Sequence, residues 1–529
     1  MAWTRAALAL GAVGVLALLA VSGGSGADPR TPPALPGLPA PFLGAAVAGA
    51  GELTAAVDAY GDVVDLRPRP AGPALVENPA ARQAAGTVDP ATGIVPRIAI
   101  GGGPPLPLWR ADSVRQRYLP GTNVVRSVAR FGAVEATVTV AAAGRRLAVV
   151  VASEDGGVDP SALVNVEEGV RCLRAGQPGQ LDLLCRVGRA APVAPSAAAG
   201  PTLRETVRLI QSSAVADRRW LSRARPLGAD APTWAKAMYE RSLLTLRALT
   251  DRRNGAVAAG ARDGWAYVWP RDAATVAIAL AAVGYRGEAE RVTHFLFGLD
   301  LGGAARFRGD GSPVPGRAAQ GDAVGWTAAA AKASGTIASA RHAAPILSPA
   351  RPVPWRDLAD YQEGEPGDYL GNAIAAGASD ILGATAPNNS EAFATPAGLV
   401  RRAGDPGSGL DSAAAWAVRP FPTPALYPAA RRTLLRLATD GARFGITPGT
   451  GWQGGDDPWM APTAWSAWSL AALGERRQAL ALLGDLRRAA TPAGALPERV
   501  DIRTGVPSST TPLAWPHAFA ILALRQLWP

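Results

Sequence analysis

The chain is poor in reactive and metal-binding side chains. In 529 residues there are two cysteines, three methionines and three histidines. Two cysteines cannot make a disulfide-rich scaffold. The histidines, His294, His342 and His517, lack metal-ligand spacing, so no zinc site is expected. No serine sits in a G-x-S-x-G elbow, which excludes one common serine-nucleophile architecture. Lys236 and Lys332 are the only lysines, and neither precedes Ser or Thr, so there is no phosphate loop of the G-K-[ST] type. No run of five basic residues occurs, which argues against a nucleic-acid arm. A single long apolar run excludes a multi-span transporter. Gly449 to Gly454 matches G-x-G-x-x-G, but it follows Pro448 rather than a strand and is read as accidental.

What remains is a large folded protein. Hydrophobic residues make up 48% and charged residues 18%, both spread along the chain, which excludes a disordered or fibrous protein. The length accommodates two large domains. Lys+Arg 53 against Asp+Glu 43 gives a net charge of +10, and this basic envelope favours anionic surfaces.

The N-terminus reads as an export signal or an uncleaved anchor over residues 1–27. Arg5 precedes the apolar run Ala6 to Val21, and Ser25-Gly26-Ala27 fits a cleavage site. Either reading places the body outside the cytoplasm, secreted or at the cell envelope, with possible membrane association through this segment. Residues 28–43 form a proline-rich spacer. From Gly44 to Val187 short alternating runs such as Val134, Ala136, Val138 and Val140, with Gly/Pro/Asp punctuation, predict a β-sandwich. Cys172 and Cys185 flank the turn sequence Gly176-Gln177-Pro178-Gly179. One disulfide stapling a hairpin is expected, against the alternative of two buried thiols.

Residues 188–230 read as a linker carrying a helix, Leu203–Ser222. From 231 to 529 the apolar spacing is helical. Helices are predicted at, among others, Thr233–Leu249, Asp272–Val283, Arg286–Phe297, Ser390–Arg402, Pro462–Leu473 and Leu513–Leu527. The rhythm of hairpin after helical hairpin suggests a closed helical array with its chemistry in the inter-helix loops.

Those loops set tryptophan beside carboxylates and arginine. Trp269-Pro270-Arg271-Asp272, Gln320-Gly321-Asp322, Asp360-Tyr361-Gln362-Glu363, Asp456-Asp457-Pro458-Trp459 and Pro497-Glu498-Arg499 each fall at or before a helix. Aromatic faces stack on sugar rings, polar groups bond to hydroxyls, and two separated carboxylates can act as acid and base for glycoside cleavage. Taken singly, each loop is more ordinarily core, cap or solvated surface. In a ring of antiparallel hairpins, alternate loops open on one face, so separated motifs converge.

At this point a family resemblance becomes visible. The stretch LLTLRALTDRRNGAVAAGARDGWAYVWPRDAATVAIALAAVGY resembles the first catalytic loop of the glucoamylase-type glycoside hydrolases, family 15. QGDAVGW, GWQGGDDPWMAPTAW and LPERVDIRTG…PLAWPHA are similar to three further stretches of that family. RYLPGTNVVRS resembles part of the sandwich that precedes the barrel in bacterial members. The resemblance implies a β-sandwich followed by an (α/α)6 barrel, and an inverting, exo-acting hydrolase of α-glucosidic bonds. It implies Glu498 as general base and Glu363 as general acid, with Glu365 the alternative acid. Trp269, Arg271, Asp272, Gln320, Asp322 and Trp459 would bind an oligo- or polysaccharide. Gln362 stands where the family usually has Trp. No cofactor, metal or nucleic acid is expected, and the chain is expected to be a monomer. Phosphorolysis on the same barrel and a catalytically decayed cell-envelope sugar-binding protein are the competing readings.

Overall fold

The computed structural model describes residues 33–77, 92–155, 157–188, 199–262, 264–339, 355–362, 364–377 and 390–529. The expected export segment therefore lies outside the described residues, as does Glu363. Among the described residues no helix is long and apolar enough to cross a membrane.

Among the described residues up to Gly188, thirteen strands form two sheets: β1 (Gly44–Gly49), β2 (Thr54–Asp58), β3 (Val63–Arg67), β4 (Val76–Glu77), β5 (Gly93–Ile100), β6 (Leu106–Pro107), β7 (Ser113–Tyr118), β8 (Val125–Phe131), β9 (Val134–Ala143), β10 (Arg146–Ala152), β11 (Val158–Asn165), β12 (Val170–Gln177) and β13 (Gln180–Val187). The first has the path β1-β2-β3-β5-β11, with β4 on β3 and β6 on β5; the second has the order β12-β13-β10-β9-β8-β7. All pairings are antiparallel. The two sheets carry different sequence patterns for a physical reason. β9, Val134–Ala143, alternates over its first part, as a strand with one solvated face should. β1 (GAAVAG) and β2, Thr54–Asp58 (TAAVD), are buried along their whole length: both meet β9 of the second sheet, the helix Thr233–Leu249 packs on β1, and Thr54 of β2 donates to Ala248 O of that helix.

The disulfide joins Cys172 and Cys185 (S–S 2.01 Å), directly paired residues of β12 and β13. The hairpin turns at Gly179 with φ +72°, a conformation natural for glycine.

A long helix, α1 (Ala199–Leu221), lies against the second sheet. Its Leu209 and Ala214 cluster with Ala141, Ala148 and Leu184. The helix expected within residues 188–230 is thus packed on the sandwich. It leads to α2 (Thr233–Leu249), which binds the sandwich to the helical half. Buried Arg241 of α2 donates to Thr122 O at 3.0 Å and to Asn123 Oδ1, and lies over the Tyr118 ring at 3.6 Å. Asn123 donates in turn to Gly49 O and Leu244 O. The RYLPGTN stretch is the clamp between the two halves.

The helical half continues with α3 (Pro270–Ala282), α4 (Arg286–Phe297), α5 (Ala323–Ser334), α6 (Leu370–Gly377), α7 (Tyr427–Asp440), α8 (Met460–Ala472), α9 (Arg476–Ala489) and α10 (Ala514–Leu527). The described helices are of two kinds. α3, α5, α6, α8 and α10 are rich in Ala and buried nearly all round, whereas α4, α7 and α9 bury one face. An all-apolar helix belongs inside and an amphipathic one outside. The inner elements close a ring: α3 touches α5, α5 touches α6, and α6 meets the 3-10 run Ser412–Ala417. That run meets α8, α8 meets α10, and α10 returns to α3. Gly325 shows how tightly the ring packs, since a Cβ there would lie 1.9 Å from Ala375 O. Trp326, Trp416, Trp465 and Phe519 fill the ring in edge-on contacts of 5.2–6.0 Å.

One expected element is different. The predicted helix Ser390–Arg402 is instead a 3-10 turn, Ser390–Phe393, followed by a three-stranded sheet of β14 (Ala394–Thr395), β15 (Gly398–Arg402) and β16 (Asp405–Leu410). Pro396 interrupts the apolar spacing. Gly398 adopts φ +147° with Thr433 Oγ1 only 2.2 Å from a would-be Cβ, a place no helical side chain could take.

Candidate active site

The loops that lead into the inner elements build one concave site. Pro270 at the start of α3 pre-sets the helical φ and puts Arg271 and Asp272 in the first turn. Arg271 is 3% exposed. Its Nη1 donates to Asp322 Oδ2 at 2.8 Å and Gln320 Oε1 at 3.0 Å, and its guanidinium lies 4.6 Å from the Trp515 ring centre. Its Nε is 3.8 Å from Asp272 Oδ2. Burial works against the Arg271 charge, but Asp322 and Asp272 outweigh it and hold the group above its ordinary range. Burial pushes Asp272 up to about 7; Arg271 opposes this, while Asp322 and Glu498 add to it. Burial likewise raises Asp322 against the pull of Arg271.

Glu498 arrives from the other side of the ring. Its backbone N–H donates to Thr510 O and its carbonyl accepts from Met460 N, each at 2.9 Å, tying it to the first residue of α8. Trp459 bridges to Arg499 in the same ladder. The Glu498 carboxylate accepts from Trp265 Nε1 at 3.2 Å and from Ser509 Oγ. Two donors from separate segments orient the carboxylate.

Trp269, Arg271, Asp272, Trp459 and Glu498, gathered from three separate loops, line one cavity of about 90 Å³. Trp265, Tyr361 and Trp515 complete an aromatic wall, with Gln362 and Arg317 beside them. Burial and the nearby Arg306 push Arg317 down, and Glu498 opposes them. Gln320 and Asp322 do not line the cavity: they are 5% and 1% exposed and stand behind Arg271 as its partners. Glu365 is exposed, and Glu363 lies outside the described residues. Among the described lining residues the carboxylates are Asp272 and Glu498. Cys172 and Cys185 belong to the sandwich and take no part.

A second network holds the Tyr361–Gln362 corner. Tyr361 OH donates to Asp411 Oδ1 at 2.8 Å. Gln362 Nε2 donates to Tyr361 OH at 2.9 Å and Asp411 Oδ2 at 3.2 Å. Burial pushes Asp411 up to about 7, helped by Asp360, while bonds from Ala413 N–H and Tyr361 lower it. Asp360 is gripped in turn by Arg401 through Nε at 3.1 Å and Nη2 at 3.0 Å.

Tyr361 and Trp515 fall inside stretches quoted from the sequence, but neither is named there as a site residue. Ser509 and Asp411 gave no signal at all. No group of three His, Cys, Asp or Glu is placed to hold a metal ion among the described residues. The arrangement can stack a sugar ring, grip its hydroxyls with a buried Arg–Asp pair, and present a fixed carboxylate to the same space.

Comparison with known proteins agrees with this layout. Residues 233–297, spanning α2 to α4 and the Arg271–Asp272 loop, match Glycosyl hydrolases family 15. A crystal structure of bacterial glucoamylase complexed with acarbose is similar over 94% of this chain and 95% of its own, at TM-score 0.68 and 13% identity. A wild-type glycosidase structure covers 55% of this chain and 96% of its own, at TM-score 0.47 and 20% identity. A glucoamylase from Saccharomycopsis fibuligera covers 58% and 97%, at TM-score 0.43 and 14% identity. No curated protein sequence matches the chain. The match over residues 233–297 and the likeness to the bacterial glucoamylase agree with the resemblance read from the sequence, and the fold is the sandwich followed by a helical ring.

Proposed function

We propose that the protein is an exported, exo-acting hydrolase of α-glucosidic bonds that inverts the anomeric centre. The observation that carries this reading is Glu498, fixed by Trp265 and Ser509 in an aromatic cavity whose other wall is the Arg271–Asp272 pair. In this mechanism the terminal non-reducing sugar enters the cavity and stacks on the indoles. Arg271 and Asp272 bond to its hydroxyls, which restricts entry to chain ends. Glu498 takes a proton from a water on one face of the ring. A general acid on the opposite face, assigned to Glu363, protonates the leaving oxygen. Arg271 keeps its orientation because Asp322 and Gln320 hold it from behind. The acarbose complex of the similar bacterial glucoamylase supports an oligosaccharide as substrate.

A catalytically decayed carbohydrate-binding protein is the second reading. It is favoured by Gln362, which occupies the cavity wall bonded to Tyr361 and Asp411. The two separate on product release from maltooligosaccharides, isomaltose and trehalose, measured with and without phosphate. A hydrolase releases glucose without phosphate. Binding with no release from any α-glucoside leaves the decayed protein, and release that requires phosphate leaves a phosphorylase.

A further inference from the structure

A second cavity lies away from the active site, at the seam between the sandwich and the helical half. It measures about 390 Å³. Ala50 after β1, Trp220 of α1, Arg247 of α2, the turn Thr250–Arg253, and Glu288 and Arg291 of α4 supply its walls. Its charges do not balance. Both acids on the wall are already engaged, Asp251 by Arg69 at 2.5 Å and Glu288 by Arg223 at 3.2 Å. Of the four arginines, Arg247 is paired with Asp217 at 2.8 Å and Arg252 with Glu52 at 2.7 Å. Arg253 and Arg291 have no side-chain hydrogen bond or ion pair among the described residues.

Two positive charges therefore face one cleft without a partner. An adjoining cavity of about 110 Å³ shares Asp251 and Arg253 and adds Arg69 and Arg145 from the sandwich. The platform beneath is rigid. The Trp220 ring is stacked on Tyr285 at 4.1 Å with a 4° tilt, and the Arg247 guanidinium lies 5.2 Å from its centre. Thr250, also on the wall, has a buried hydroxyl with no protein partner. Burial pushes the Arg247 guanidinium down; Asp217 and Tyr285 oppose this, and Arg223 and Arg252 add to it.

We propose that this seam cavity binds an oxyanion, a phosphate or carboxylate group, held by Arg253 and Arg291 of the helical half where it meets the sandwich. Guanidinium is suited to this because its planar fork matches the oxygens of both groups. The exposed pair Arg252–Glu52 is weak enough to open toward an incoming anion. The site is independent of the glycosidase reading and uses none of its residues.

The test is thermal unfolding and isothermal titration calorimetry of the whole protein. The titrants are inorganic phosphate and glucuronate, each compared with sodium chloride at matched ionic strength. The proposal expects at least one titrant to bind and to raise the melting temperature above the chloride control, since a ligand of the native state stabilises it by mass action. Phosphate alone, glucuronate alone, or both identifies the source of the anion. Arg253→Ala with Arg291→Ala should weaken binding roughly tenfold or more. Arg432→Ala, an exposed arginine on α7, should bind like the parent. Equal melting temperatures in all three salts, or undiminished binding by the double variant, would overturn the proposal. If the double variant fails to fold, Arg253→Gln alone, which keeps most of the side chain, decides it by the same titration.

Discussion

The indole N–H of Trp265 meets the carboxylate of Glu498 at 3.2 Å, although 233 residues separate them along the chain. The first inner helix, α3, begins at Pro270 soon after Trp265, the last, α10, begins at Ala514 after the Glu498 loop, and these two helices touch to close the ring. Ring closure therefore creates this contact, and the site cannot form before the two ends of the helical half have met.

Removing that donor should disturb chemistry more than binding. Trp265→Phe keeps an aromatic wall but frees one carboxylate oxygen. A hydrogen bond to a charged group contributes about 1.5–3 kcal/mol, so kcat should fall roughly tenfold or more, with KM little changed. Steady-state kinetics on a maltooligosaccharide measures this; an unchanged kcat would show that the bond does not position the base.

In the proposed mechanism the grip on the sugar depends on the shape of Arg271, not on its charge alone. Arg271→Lys retains a cation but cannot bond Asp322 and Gln320 while lying over Trp515. KM should rise by roughly tenfold or more, and equilibrium unfolding in urea should show a loss of a few kcal/mol from the disturbed buried pair. Wild-type KM and stability would contradict the assignment.

Several buried aspartates make stability depend on pH in a stated sense. Asp58, Asp272 and Asp411 are pushed to about 6, 7 and 7, burial being the largest cause for each. Unfolded aspartate loses its proton near ~4. Between about pH 4 and 7 the folded state thus holds protons that the unfolded state has released, and stability falls as pH rises through that window. Buried His517, pushed well down by burial, acts in the opposite sense as a single group. Calorimetry should give a higher melting temperature at pH 5 than at pH 8. Asp411→Asn should flatten the difference, and a melting temperature that climbs from pH 5 to 8 would contradict it.

The disulfide can be tested by itself. Cys172→Ser with Cys185→Ser removes a closure of 13 residues, for which chain entropy gives about 3 kcal/mol. Urea unfolding should show a loss of that order, with the helical half and its kinetics unaffected. No change in stability would place the contribution elsewhere.

The sequence showed the layering well, because periodicity is a local signal that burial enforces. Alternation in β9 and the Ala-rich, all-apolar α3 and α8 correspond directly to where each element lies. It failed over 390–402, where Pro396 and Gly398 should have outweighed apolar spacing. At the site it identified the residues that reach the cavity from recognisable loops: Trp269, Arg271, Asp272, Trp459 and Glu498. It did not distinguish groups that face the cavity from groups that stand behind one, so Gln320 and Asp322 were read as sugar ligands. That distinction depends on burial and on Arg271 turning toward them, which no spacing encodes. Trp265 lies in the loop that leads to Arg271 and Trp515 in the PLAWPHA stretch, but their place at the Glu498 cavity is set by closure between distant ends of the chain, and Ser509 has no local signature.

Anomer-resolved proton NMR of maltotetraose cleavage, run on wild type and on Glu498→Gln, tests the proposed chemistry most directly. The account predicts that the wild type releases β-glucose first. In the variant the rate should fall by roughly 10²–10⁴, while maltotetraose still binds with the wild-type Kd, because the base is lost and the cavity keeps its shape. Release of α-glucose, or a Glu498→Gln rate equal to the wild type, would contradict it.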